Sequence, residues 1–540
     1  MLSNSLKSRS DIYQIPIAPE NEFYLPDSVI KGIVIRAAAF DNNGNRVSPV
    51  TTRSYFIGSL GCDVHGLPII SICADSLSLF AHDTGILVPG DLYDPDHIDL
   101  PGNYSQHGRE WERTVNVEYY DTENEGFNQT AGLRTHGGPV TRRAQQKGLK
   151  IYAREDYGKK NFDFKIFEET DIDKFKRLVL RPFNNSCTPA GIQDWLSNHI
   201  AAPLNMGVTA SRPVALFLNG EYWGIYFIEE KVDERYLESH YGVDHDLVNI
   251  IAQWAELENG TSDGFYSLYY SLMDADLSDS AQYSHYAELI DIPNIIDYFL
   301  FELFSANRDW PVNNVRCWQY PGGPWHWVFY DGDWCLTYPD FDVYGNATFT
   351  GEFSWPTSEW STLFFRKLLE SETFKRQFLV RLDQLNKTCF SYRNTKKLFS
   401  QIRLLLDDEI QQQSQRFNNP QNIREWNRYC QYINEFLAER VVRFQLMTNR
   451  FFDVPDSMIT SVALYPNPLP QGERLNLLVK SEQYENCEVV VYDMNGETLQ
   501  FQYLWMNIGT NYASLDLRLP AGIYIVKVGS EKKKLVITNR

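Results

Sequence analysis

The sequence predicts an α+β protein of several domains, in which a strand-rich half precedes a helix-rich half. Its 540 residues are too many for one ordinary hydrophobic core. In the central part of the chain, β-branched and aromatic runs come first, and apolar residues at helical spacing follow. The final residues, 456–540, return to alternating strands with hairpin turns. Strands followed by helices, rather than alternating with them, are typical of the α+β class.

Composition and charge limit the classes of function. Apolar residues make up 43% of the chain and charged residues 22%, so packed interiors are expected. The chain has 50 Lys and Arg residues against 70 Asp and Glu residues, and the net charge of −20 argues against a nucleic-acid partner. The eight cysteines lack a spacing suited to zinc. Because no apolar run is long enough to span a bilayer, we expect no transmembrane segment.

Residues 1–58 are predicted to form part of a small β-sandwich that is truncated at its start. The stretch VIKGIVIRAAAFDNNGNRVSPVTTRSYFI, which begins at Val29, reads as strand, turn and strand. It resembles the end of the immunoglobulin-like modules that precede catalytic domains in secreted bacterial proteins. The N-terminus lacks the apolar run of a secretory signal, and we expect the native signal peptide to be missing from it.

Residues 59–455 are predicted to form one domain with a strand-rich lobe and a helix-rich lobe. In DIPNIIDYFLFELFSANRD, apolar residues recur at helical spacing and Pro293 suits the first turn. Asp309 therefore comes just after a helix, and three further helical stretches follow it. The early strands are expected at Val115–Tyr120, Leu149–Ala153, Arg177–Leu180, Pro213–Leu218 and Tyr222–Ile228.

The stretch NRDWPVNN, residues 307–314, places Asp309 five residues before Asn314. This is the spacing of a protein-kinase catalytic loop, in which the Asp receives the proton of the substrate hydroxyl and the Asn holds a metal ion. Two polar residues in a turn are weak evidence by themselves. Other residues of the chain are needed to distinguish a catalytic loop from a polar turn.

Two carboxylates follow this candidate loop, directly after an expected strand. In WHWVFYDGDWCLTY the apolar residues 327–330 are predicted to be a strand that leads to Asp331 and Asp333. A kinase-like fold keeps its main magnesium ligand after a strand, downstream of an Asp-x4-Asn loop. Taken alone, DGD is better explained as a tight turn. Together with Asp309 and Asn314, it favours a metal site.

Phosphoryl transfer also needs cations and backbone amides around the phosphate groups. The segment GLRTHGGPVTRRAQQKGLKIYAR supplies both. Gly137 and Gly138 would allow close approach of the backbone, and Lys147 leads into a strand. The cations of the segment are Arg134, Arg142, Lys147 and Lys150. The alternative is a glycine-containing hairpin with a solvated basic edge.

A third feature is a strand that could lead into a linker between two lobes. The segment FLNGEYWGIYFIEEKVDERYL has a hairpin signal at NGEYWG and then Glu229 and Glu230. In a kinase-like domain such a linker contacts the nucleotide base, which makes Glu229 a candidate nucleotide-binding residue. The alternative is that both carboxylates are simply solvated.

Residues 456–540 are predicted to form a separate small β-sandwich. The Pro-rich YPNPLP marks its entry, and DMNG is a strong hairpin turn signal between alternating strands. LPAGIYIVKVGSEKKKLVI ends the chain with two more strands.

Seven segments, in this order, carry a family resemblance over roughly residues 60–450. They are LPIISICADSLSLFAHDTGILVPG, NYSQHGREWERTVNVEYYD, GLRTHGGPVTRRAQQKGLKIYAREDYG, LVLRPFNN, FLNGEYWGIYFIEEKVDERYL, NRDWPVNN and FYDGDW. Together they resemble the CotH kinase family, first known from spore-coat proteins. The resemblance implies an atypical, secretory-type protein kinase fold that binds ATP with Mg²⁺ or Mn²⁺ and phosphorylates Ser or Thr of a protein.

The resemblance also implies roles for individual residues. Asp309 would be the catalytic acid or base, Asn314 and Asp331 would hold metal, and Asp333 would be an alternative ligand. Lys147 would contact the phosphates. The chain departs from kinase signatures in having Asn307 where a His is usual and DGD where DFG is usual. It also has Asn184 and Asn185 where relatives carry Asn-Asp.

From Tyr465 onward, the motifs YPNP, VYDMNG and LPAGIYIVKV resemble the C-terminal sorting domain of type IX secretion in Bacteroidetes. Lys532, Lys533 and Lys534 agree with the basic residues that this domain carries near its end. The resemblance implies a partner in the secretion machinery and a location outside the cell or on its outer surface.

Two functions of different classes follow. The first is a secreted or surface protein kinase that transfers the γ-phosphoryl group of ATP to a protein, with the chain itself among the candidate substrates. The alternative is a non-catalytic, kinase-like surface protein for adhesion or structural interaction. The retained Asp309, Asn314 and Asp331 favour catalysis. A glycosidase using Asp331 and Asp333 would suit the 13 Trp and 32 Tyr residues, but the pair is poorly arranged for acid and nucleophile roles.

Overall fold

The computed structural model describes residues 7–11, 17–19, 23–56, 66–351, 355, 357–453, 462–481, 485–506 and 509–539. It shows a protein of mixed strands and helices, as the sequence predicted. The chain divides into two compact units. Unit 1 comprises Met1–Cys335, Asn346–Leu382 and Lys397–Tyr432, and unit 2 comprises Leu336–Gly345, Asp383–Lys396 and Ile433–Arg540.

The first strands form two small antiparallel pairs. Strand β1 (Lys7–Ser8) pairs with β2 (Val29–Ile30), and β3 (Ile33–Ala37) pairs with β4 (Thr51–Tyr55). The second pair confirms the predicted strand, turn and strand. In its turn, the Asp41 carboxylate accepts two backbone N–H groups, at 2.9 and 2.8 Å.

The domain division 1–58, 59–455 and 456–540 stays a prediction. Its two boundaries fall in stretches 57–65 and 454–461, which lie outside the described residues. The immunoglobulin-like character of the two terminal modules also stays a prediction.

A closed barrel of seven strands forms the centre of unit 1. The next strands along the chain are β5 (Ile69–Cys73), β6 (Arg113–Tyr120), β7 (Gly126–His136), β8 (Gly148–Tyr152), β9 (Phe162–Asp163), β10 (Lys174–Phe175), β11 (Arg177–Pro182), β12 (Ser211–Leu218) and β13 (Glu221–Glu230). The barrel order is β11-β13-β12-β5-β6-β7-β8, and β9 pairs with β10. All five predicted strands are confirmed in position. Only the β5–β12 pair is parallel among these described barrel pairings.

Alternation along the strands decides which side chains fill the barrel. On β8, Leu149 and Ile151 are buried in the interior together with Leu178 and Leu180 of β11. The residues between them on β8 and β11 point to the outer face of the barrel, because successive strand side chains alternate. The barrel core is therefore apolar, and its outer face is free to carry polar groups.

Short helices connect these strands. They are α1 (Ser76–Phe80), α2 (Pro139–Arg143), α3 (Gln193–Ala201) and α4 (Glu234–Tyr241). Single 3-10 turns occur at Gly90–Leu92, Asn103–Ser105, Arg109–Trp111, Glu155–Tyr157 and Gln253–Ala255.

Four further strands and three helices follow the barrel. The strands β14 (Asn249–Ala252), β15 (Glu256–Asn259), β16 (Cys317–Gln319) and β17 (Trp325–Trp327) form a sheet of order β15-β14-β16-β17. The helices are α5 (Asp263–Asp274), α6 (Ser280–Leu289) and α7 (Ile292–Ser305). The Asp291 carboxylate caps α7 by accepting the Asn294 N–H, and Pro293 lies in the first turn. The predicted helix before Asp309 is thus confirmed.

The strand predicted over residues 327–330 is wrong in position. The strand ends at Trp327, and Val328 forms only a single bridge with Gly207. Beyond it the Phe329 N–H donates to the Gly207 carbonyl at 3.0 Å, and Asp331 turns the chain with a φ of 65°. A long apolar run here reflects burial in a loop, which periodicity alone does not distinguish from a strand.

The remaining helices confirm the helix-rich second half. They are α8 (Val343–Ala347), α9 (Glu359–Leu368), α10 (Glu372–Lys387), α11 (Tyr392–Leu406), α12 (Ile410–Phe417) and α13 (Ile423–Phe451). Two of the three predicted helical stretches each contain a break, so they give four helices. No helix among the described residues is long and apolar enough to cross a membrane.

The C-terminal strands form two sheets that share one apolar core. The strands are β18 (Val462–Tyr465), β19 (Leu469–Pro470), β20 (Arg474–Ser481), β21 (Glu485–Tyr492), β22 (Thr498–Met506), β23 (Gly509–Asp516), β24 (Gly522–Val528) and β25 (Glu531–Thr538). The sheet orders are β18-β20-β23 and β19-β25-β24-β21-β22. Leu477 and Val526, one from each sheet, are fully buried in the shared core.

Candidate active site

One cavity of about 850 Å³ in unit 1 collects most of the predicted site residues. Side chains from the outer face of the barrel line one part of it, and loops after α7 and β17 line another. The predicted residues that line it are Gly137, Gly138, Arg142, Glu229, Asp309, Asn314, Asp331 and Asp333. Its size and its mixture of carboxylates, amides and cations are typical of a site for a polar ligand.

The loop after α7 is held in shape by Asn307. Helix α7 ends at Ala306, which adopts a left-handed backbone with a φ of 54°. The Asn307 side chain donates to the buried Glu302 carboxylate at 3.0 Å and accepts the Asp309 N–H at 3.1 Å. Burial raises the pKa of Glu302 to about 8. An Asn at this position therefore fixes the loop that carries Asp309, although the sequence offers no His there.

Asp309 faces the cavity and is held by two amides. Asn313 and Asn314 donate from their Nδ2 atoms to its two carboxylate oxygens, at 3.3 and 3.2 Å. Burial, and then the charge of Asp331, raises the pKa of Asp309 to about 6. A carboxylate that changes protonation state near neutral pH is suited to general acid–base chemistry.

Asn314 and Asp331 lie next to each other, and both have left-handed backbones. Their φ angles are 56° and 65°, a region that costs free energy for residues other than glycine. The Asn314 Nδ2 donates to the Asp331 carbonyl at 3.3 Å, and its Oδ1 accepts the Gln253 amide at 3.2 Å. Backbone strain of this kind clusters at functional sites, so these two outliers support a functional loop.

Arg181 of β11 lies at the centre of a group of carboxylates. Its Nη2 is 2.5 Å from Asp331 Oδ1 and 3.2 Å from Asp333 Oδ2. Its Nε is 4.0 Å from the Asp194 carboxylate. Burial, and then the charge of Asp331, raises the pKa of Asp333 well above its usual range. Arg181 has no predicted role, and among the described residues it is the one cation in direct contact with these acids.

Asp194 on α3 ties this group to the DGD loop. Its Oδ1 accepts the Gly332 N–H at 2.6 Å. A Cβ on Gly332 would lie only 2.8 Å from the Ser197 Cβ of the same helix. Glu229 contacts Asp194 as well, and burial followed by the Asp194 charge raises the pKa of Glu229 well above its usual range. Glu229 is buried, so the solvated alternative is wrong for it, and because it lines the cavity its nucleotide-binding role stays a prediction.

The oxygen-bearing side chains that follow α7 and β17 fit a hard divalent cation. Asn314, Asp331 and Asp333 all present oxygen atoms, the ligand type that Mg²⁺ and Mn²⁺ prefer. Both Asp side chains currently share the Arg181 guanidinium. A cation bound there would thus compete with, or sit beside, an existing positive charge.

The glycine segment shapes another wall of the cavity. Gly137 has a φ of 101°, and a Cβ on Gly138 would meet no atom within 4 Å. Arg142 donates to the Gly137 carbonyl at 2.6 Å and to the Ser105 carbonyl at 3.0 Å. Arg142 therefore holds the turn in place rather than projecting as a free cation, and Gly138 leaves its backbone open to the cavity.

The structure does not bring Lys147 or Arg134 to the cavity wall, which corrects the prediction for both. Lys147 is 2% exposed, donates to the Ala144 carbonyl at 2.9 Å, and lies over the Tyr104 ring at 4.5 Å. Arg134 lies over the Tyr152 ring at 4.2 Å and donates to the Gly108 carbonyl. Strand β8 starts at Gly148, so Lys147 precedes the strand and its side chain is free to turn away from the sheet.

Lys150 lies on the barrel face that carries the cavity, although its own side chain is not among the residues that line it. It pairs across the sheet with Val179, which in turn pairs with Glu229, and directly opposite residues share one face. Val179 and Glu229 both line the cavity. Among the described residues, the contact seen for the Lys150 ammonium is the Tyr152 ring at 5.6 Å, with no acceptor for a hydrogen bond. Burial, and then the charges of Lys231 and Arg177, lowers the pKa of Lys150 to about 7.

Three residues of this site were missed or given no firm role in the sequence. Arg181 lies between apolar residues of LVLRPF, and a charged residue at an outward strand position was the available signal. Asp194, in the first turn of α3, lies 4.0 Å from the Arg181 guanidinium. Lys231 lines the cavity and lies 3.0 Å from the Glu258 carboxylate.

A strand barrel, a following helical part and an Asp-x4-Asn loop beside a second acidic loop define a kinase-like protein. The model of the family described as CotH kinase protein matches residues 133–444, more than half of the chain. This chain therefore belongs to the CotH kinase family. The model described as secretion system C-terminal sorting domain matches residues 463–538, which implies export to the cell surface or the extracellular space.

Other comparisons add little. Among curated proteins none matches the chain. A solved structure of the HipA, HipB and operator DNA complex of the Shewanella oneidensis MR-1 toxin–antitoxin system is similar at 12% identity. The match covers 52% of this chain and 61% of that chain, with a TM-score of 0.23. Such a TM-score supports no structural argument, and the chain spans only about three-fifths of the length of that structure.

Proposed function

We propose that this protein is an exported, ATP- and Mg²⁺-dependent protein kinase that transfers the γ-phosphoryl group to Ser or Thr of a protein. The observation that carries the proposal is the convergence of Asp309, Asn314, Asp331 and Asp333 on one cavity. The cavity also has an open glycine backbone at Gly138 on another wall. Mn²⁺ is an alternative metal, and the chain itself is one candidate substrate.

Asn314, Asp331 and Asp333 would hold the metal in this proposal. The bound ion would supply positive charge that stabilises the negative charge developing on the phosphoryl group during transfer. Asn314 is already fixed by the Gln253 amide, and Asp331 by its contact with Arg181. The strained backbones of Asn314 and Asp331 place the ligands before any substrate arrives, which reduces the reorganisation needed in the reaction.

Asp309 would orient the substrate hydroxyl and accept its proton. The amides of Asn313 and Asn314 hold its carboxylate in position. With a pKa of about 6, Asp309 is mostly ionised at neutral pH and can act as the acceptor. Asn307 acts through Asp309, since it fixes the Asp309 backbone and does not line the cavity.

Lys150, rather than Lys147, would attract the phosphates. A half-buried ammonium without a hydrogen-bond acceptor costs free energy, and an anionic ligand would reduce that cost. Lys231 lines the cavity nearby, and Gly138 offers backbone close to it. Nucleotide binding would then raise the pKa of Lys150 from about 7, and the site would take up a proton at neutral pH.

The test is incorporation of label from γ-labelled ATP with Mg²⁺ or Mn²⁺ into the chain and into a general protein substrate. We expect incorporation by the wild type and a loss of about 10²- to 10³-fold in Asp331→Ala. Lys150→Met should weaken binding of ATP in calorimetry, whereas Lys147→Met should leave it unchanged. Equal incorporation in wild type and Asp331→Ala, or no nucleotide binding by the wild type, would contradict the proposal.

The alternative, a non-catalytic kinase-like surface protein for adhesion or structural interaction, is favoured by one observation. Arg181 already neutralises Asp331 and Asp333 without any metal. If Mg²⁺ and Mn²⁺ at millimolar concentrations fail to shift the thermal unfolding midpoint and ATP fails to bind, this alternative replaces the kinase. Export through the secretion machinery is common to both.

A further inference from the structure

Strand β22 is an exposed sheet edge of an unusual kind. It is the terminal strand of the five-stranded sheet, so only its β21 side is paired among the described strands. Its sequence, TLQFQYLWM, contains no charged residue, no proline and no glycine. The outward side chains are Leu499, Phe501, Tyr503 and Trp505, which are 40, 49, 62 and 63% exposed. Three aromatic rings in a row thus face away from the core along a nine-residue edge.

In the other sheet of this unit, an outward aromatic residue of the edge strand is covered by an arginine. The outward Tyr512 of β23 lies under Arg443 of α13, at 4.2 Å from the ring centroid to the guanidinium. Natural edge strands are usually protected by lysines, prolines or bulges, because their free N–H and C=O groups accept another strand. Strand β22 has one register irregularity, at Leu499 between the Val491–Gln500 and Tyr492–Thr498 pairs, and it contains no lysine or proline. Such an edge is a surface for pairing with a strand.

We propose that the partner is a second copy of this chain, joined by antiparallel pairing of β22 with β22. Two identical strands can pair about a two-fold axis only if the residues that lie opposite one another do not repel, and a strand without charge meets this condition. The distribution of charge along the chain also favours pairing through this segment. Residues 461–540 carry eight Lys and Arg and eight Asp and Glu, whereas the rest carries 42 against 62. The segment that would pair is itself neutral, so like-charge repulsion within it does not oppose the contact.

Full overlap of the two nine-residue strands fixes the register. The two-fold axis then passes through Gln502, which lies opposite Gln502 of the second copy. Phe501 lies opposite Tyr503, and Leu499 lies opposite Trp505. Aromatic and aromatic–aliphatic pairs directly across an antiparallel ladder are among the stabilising kinds. The pairing brings all four exposed outward side chains into contact with their counterparts across the ladder and joins the two five-stranded sheets into one of ten strands.

The test uses the full chain in sedimentation equilibrium over a range of concentrations. We expect a concentration-dependent dimer for the wild type. Gln502→Lys and Gln502→Glu should each weaken the dimer by about tenfold or more, because like charges then lie directly opposite. An equimolar mixture of the two variants should restore dimerisation, which loss of folding could not do. Ser514→Lys, an exposed position on β23, is the matched control and should leave the dimer intact.

A cross-link checks the register. Gln502→Cys treated with a short bis-maleimide should give a doubled mass above the wild-type background, and Ser514→Cys should not. A wild type that stays monomeric at every concentration, or variants whose mixture does not re-form a dimer, would overturn the proposal. A monomer that instead floats with vesicles of phosphatidylcholine and phosphatidylglycerol would assign the aromatic edge to a lipid surface and overturn it as well. Failure of the kinase test has no bearing on these outcomes.

Discussion

The cavity of unit 1 and the C-terminal sheets are held in shape by opposite means. Around the cavity, buried carboxylates, one guanidinium and two left-handed residues define the geometry. In the C-terminal sheets, alternating apolar residues pack into a shared core and almost all charge lies outside it. The arrangement of charged and left-handed residues around the cavity therefore costs stability, whereas burial of apolar side chains stabilises the sheets. Substitutions in the two regions should separate activity from stability.

The largest expected effect is on activity, for Asp309→Asn. The variant keeps the shape of the side chain but cannot accept a proton, so phosphoryl transfer should fall by about 10²- to 10⁴-fold. Stability at neutral pH should not fall, because an ionised, half-buried carboxylate that is repelled by Asp331 is removed. Kinetics with labelled ATP measure the expected loss of activity, and urea unfolding measures the stability. A large loss of stability would show that the loop depends on the charge, contrary to the comparison.

Arg181→Gln should affect stability and metal response together. Removal of the cation leaves Asp331 and Asp333 without their partner, and breaking a buried ion pair costs about 3–5 kcal/mol. Mn²⁺ should restore part of that loss, so its effect on the thermal midpoint should be larger in the variant than in the wild type. A variant that loses stability but shows no greater response to Mn²⁺ would show that the three oxygen-bearing residues do not form a metal site.

Leu477→Ala tests the other side of the comparison. Leu477 is fully buried in the C-terminal core, and such a truncation costs about 2–5 kcal/mol. Nucleotide binding in unit 1 should be unchanged at temperatures where the variant is folded. Ile523→Ala, which is 43% exposed on β24 and lies outside the proposed β22 edge, is the matched control and should change the unfolding free energy by well under about 1 kcal/mol. Similar losses for Leu477→Ala and Ile523→Ala would contradict the assigned core.

The smallest expected effect is a pH dependence of stability. The folded-state pKa of Asp309, about 6, lies above its unfolded value of 3.8, so the folded chain holds the proton more tightly. The contribution of Asp309 to stability is therefore present at low pH and is lost as the pH rises from about 4 to about 6. Urea unfolding at about pH 4.5 and about pH 7 should show that the free energy of unfolding of the wild type, relative to that of Asp309→Asn, is lower at the higher pH. A difference that is constant with pH, or of opposite sign, would contradict the geometry around Asp309.

Parts of this architecture could be read from the sequence because one local signal decided them. Helical periodicity and Pro293 fixed α7, and with it the position of Asp309 after a helix end. NGEYWG and DMNG predicted their hairpins because glycine and asparagine adopt the left-handed turn conformations required there. The periods of about 3.6 residues in helices and two residues in strands report which face of an element is buried, and the two-residue period held across the barrel strands.

Other parts depended on where a strand starts or on contacts between distant elements. Lys147 and Lys150 are three residues apart, and only the start of β8 at Gly148 decides which of them lies on the cavity face. Arg181 is 150 residues from Asp331 along the chain, so no local pattern joins them. The strand expected before Asp331 failed for a similar reason, since pairing with Gly207 ends it.

The hydrogen bond from the Gly332 N–H to Asp194 has a mechanical consequence. It attaches the loop of Asp331 and Asp333 to the first turn of α3, with Gly332 too close to Ser197 for any side chain. Movement of the loop away from α3 therefore requires this hydrogen bond to break, and movement with α3 requires displacement of the helix. Displacement of a packed helix takes microseconds or longer, whereas a free loop fluctuates in nanoseconds.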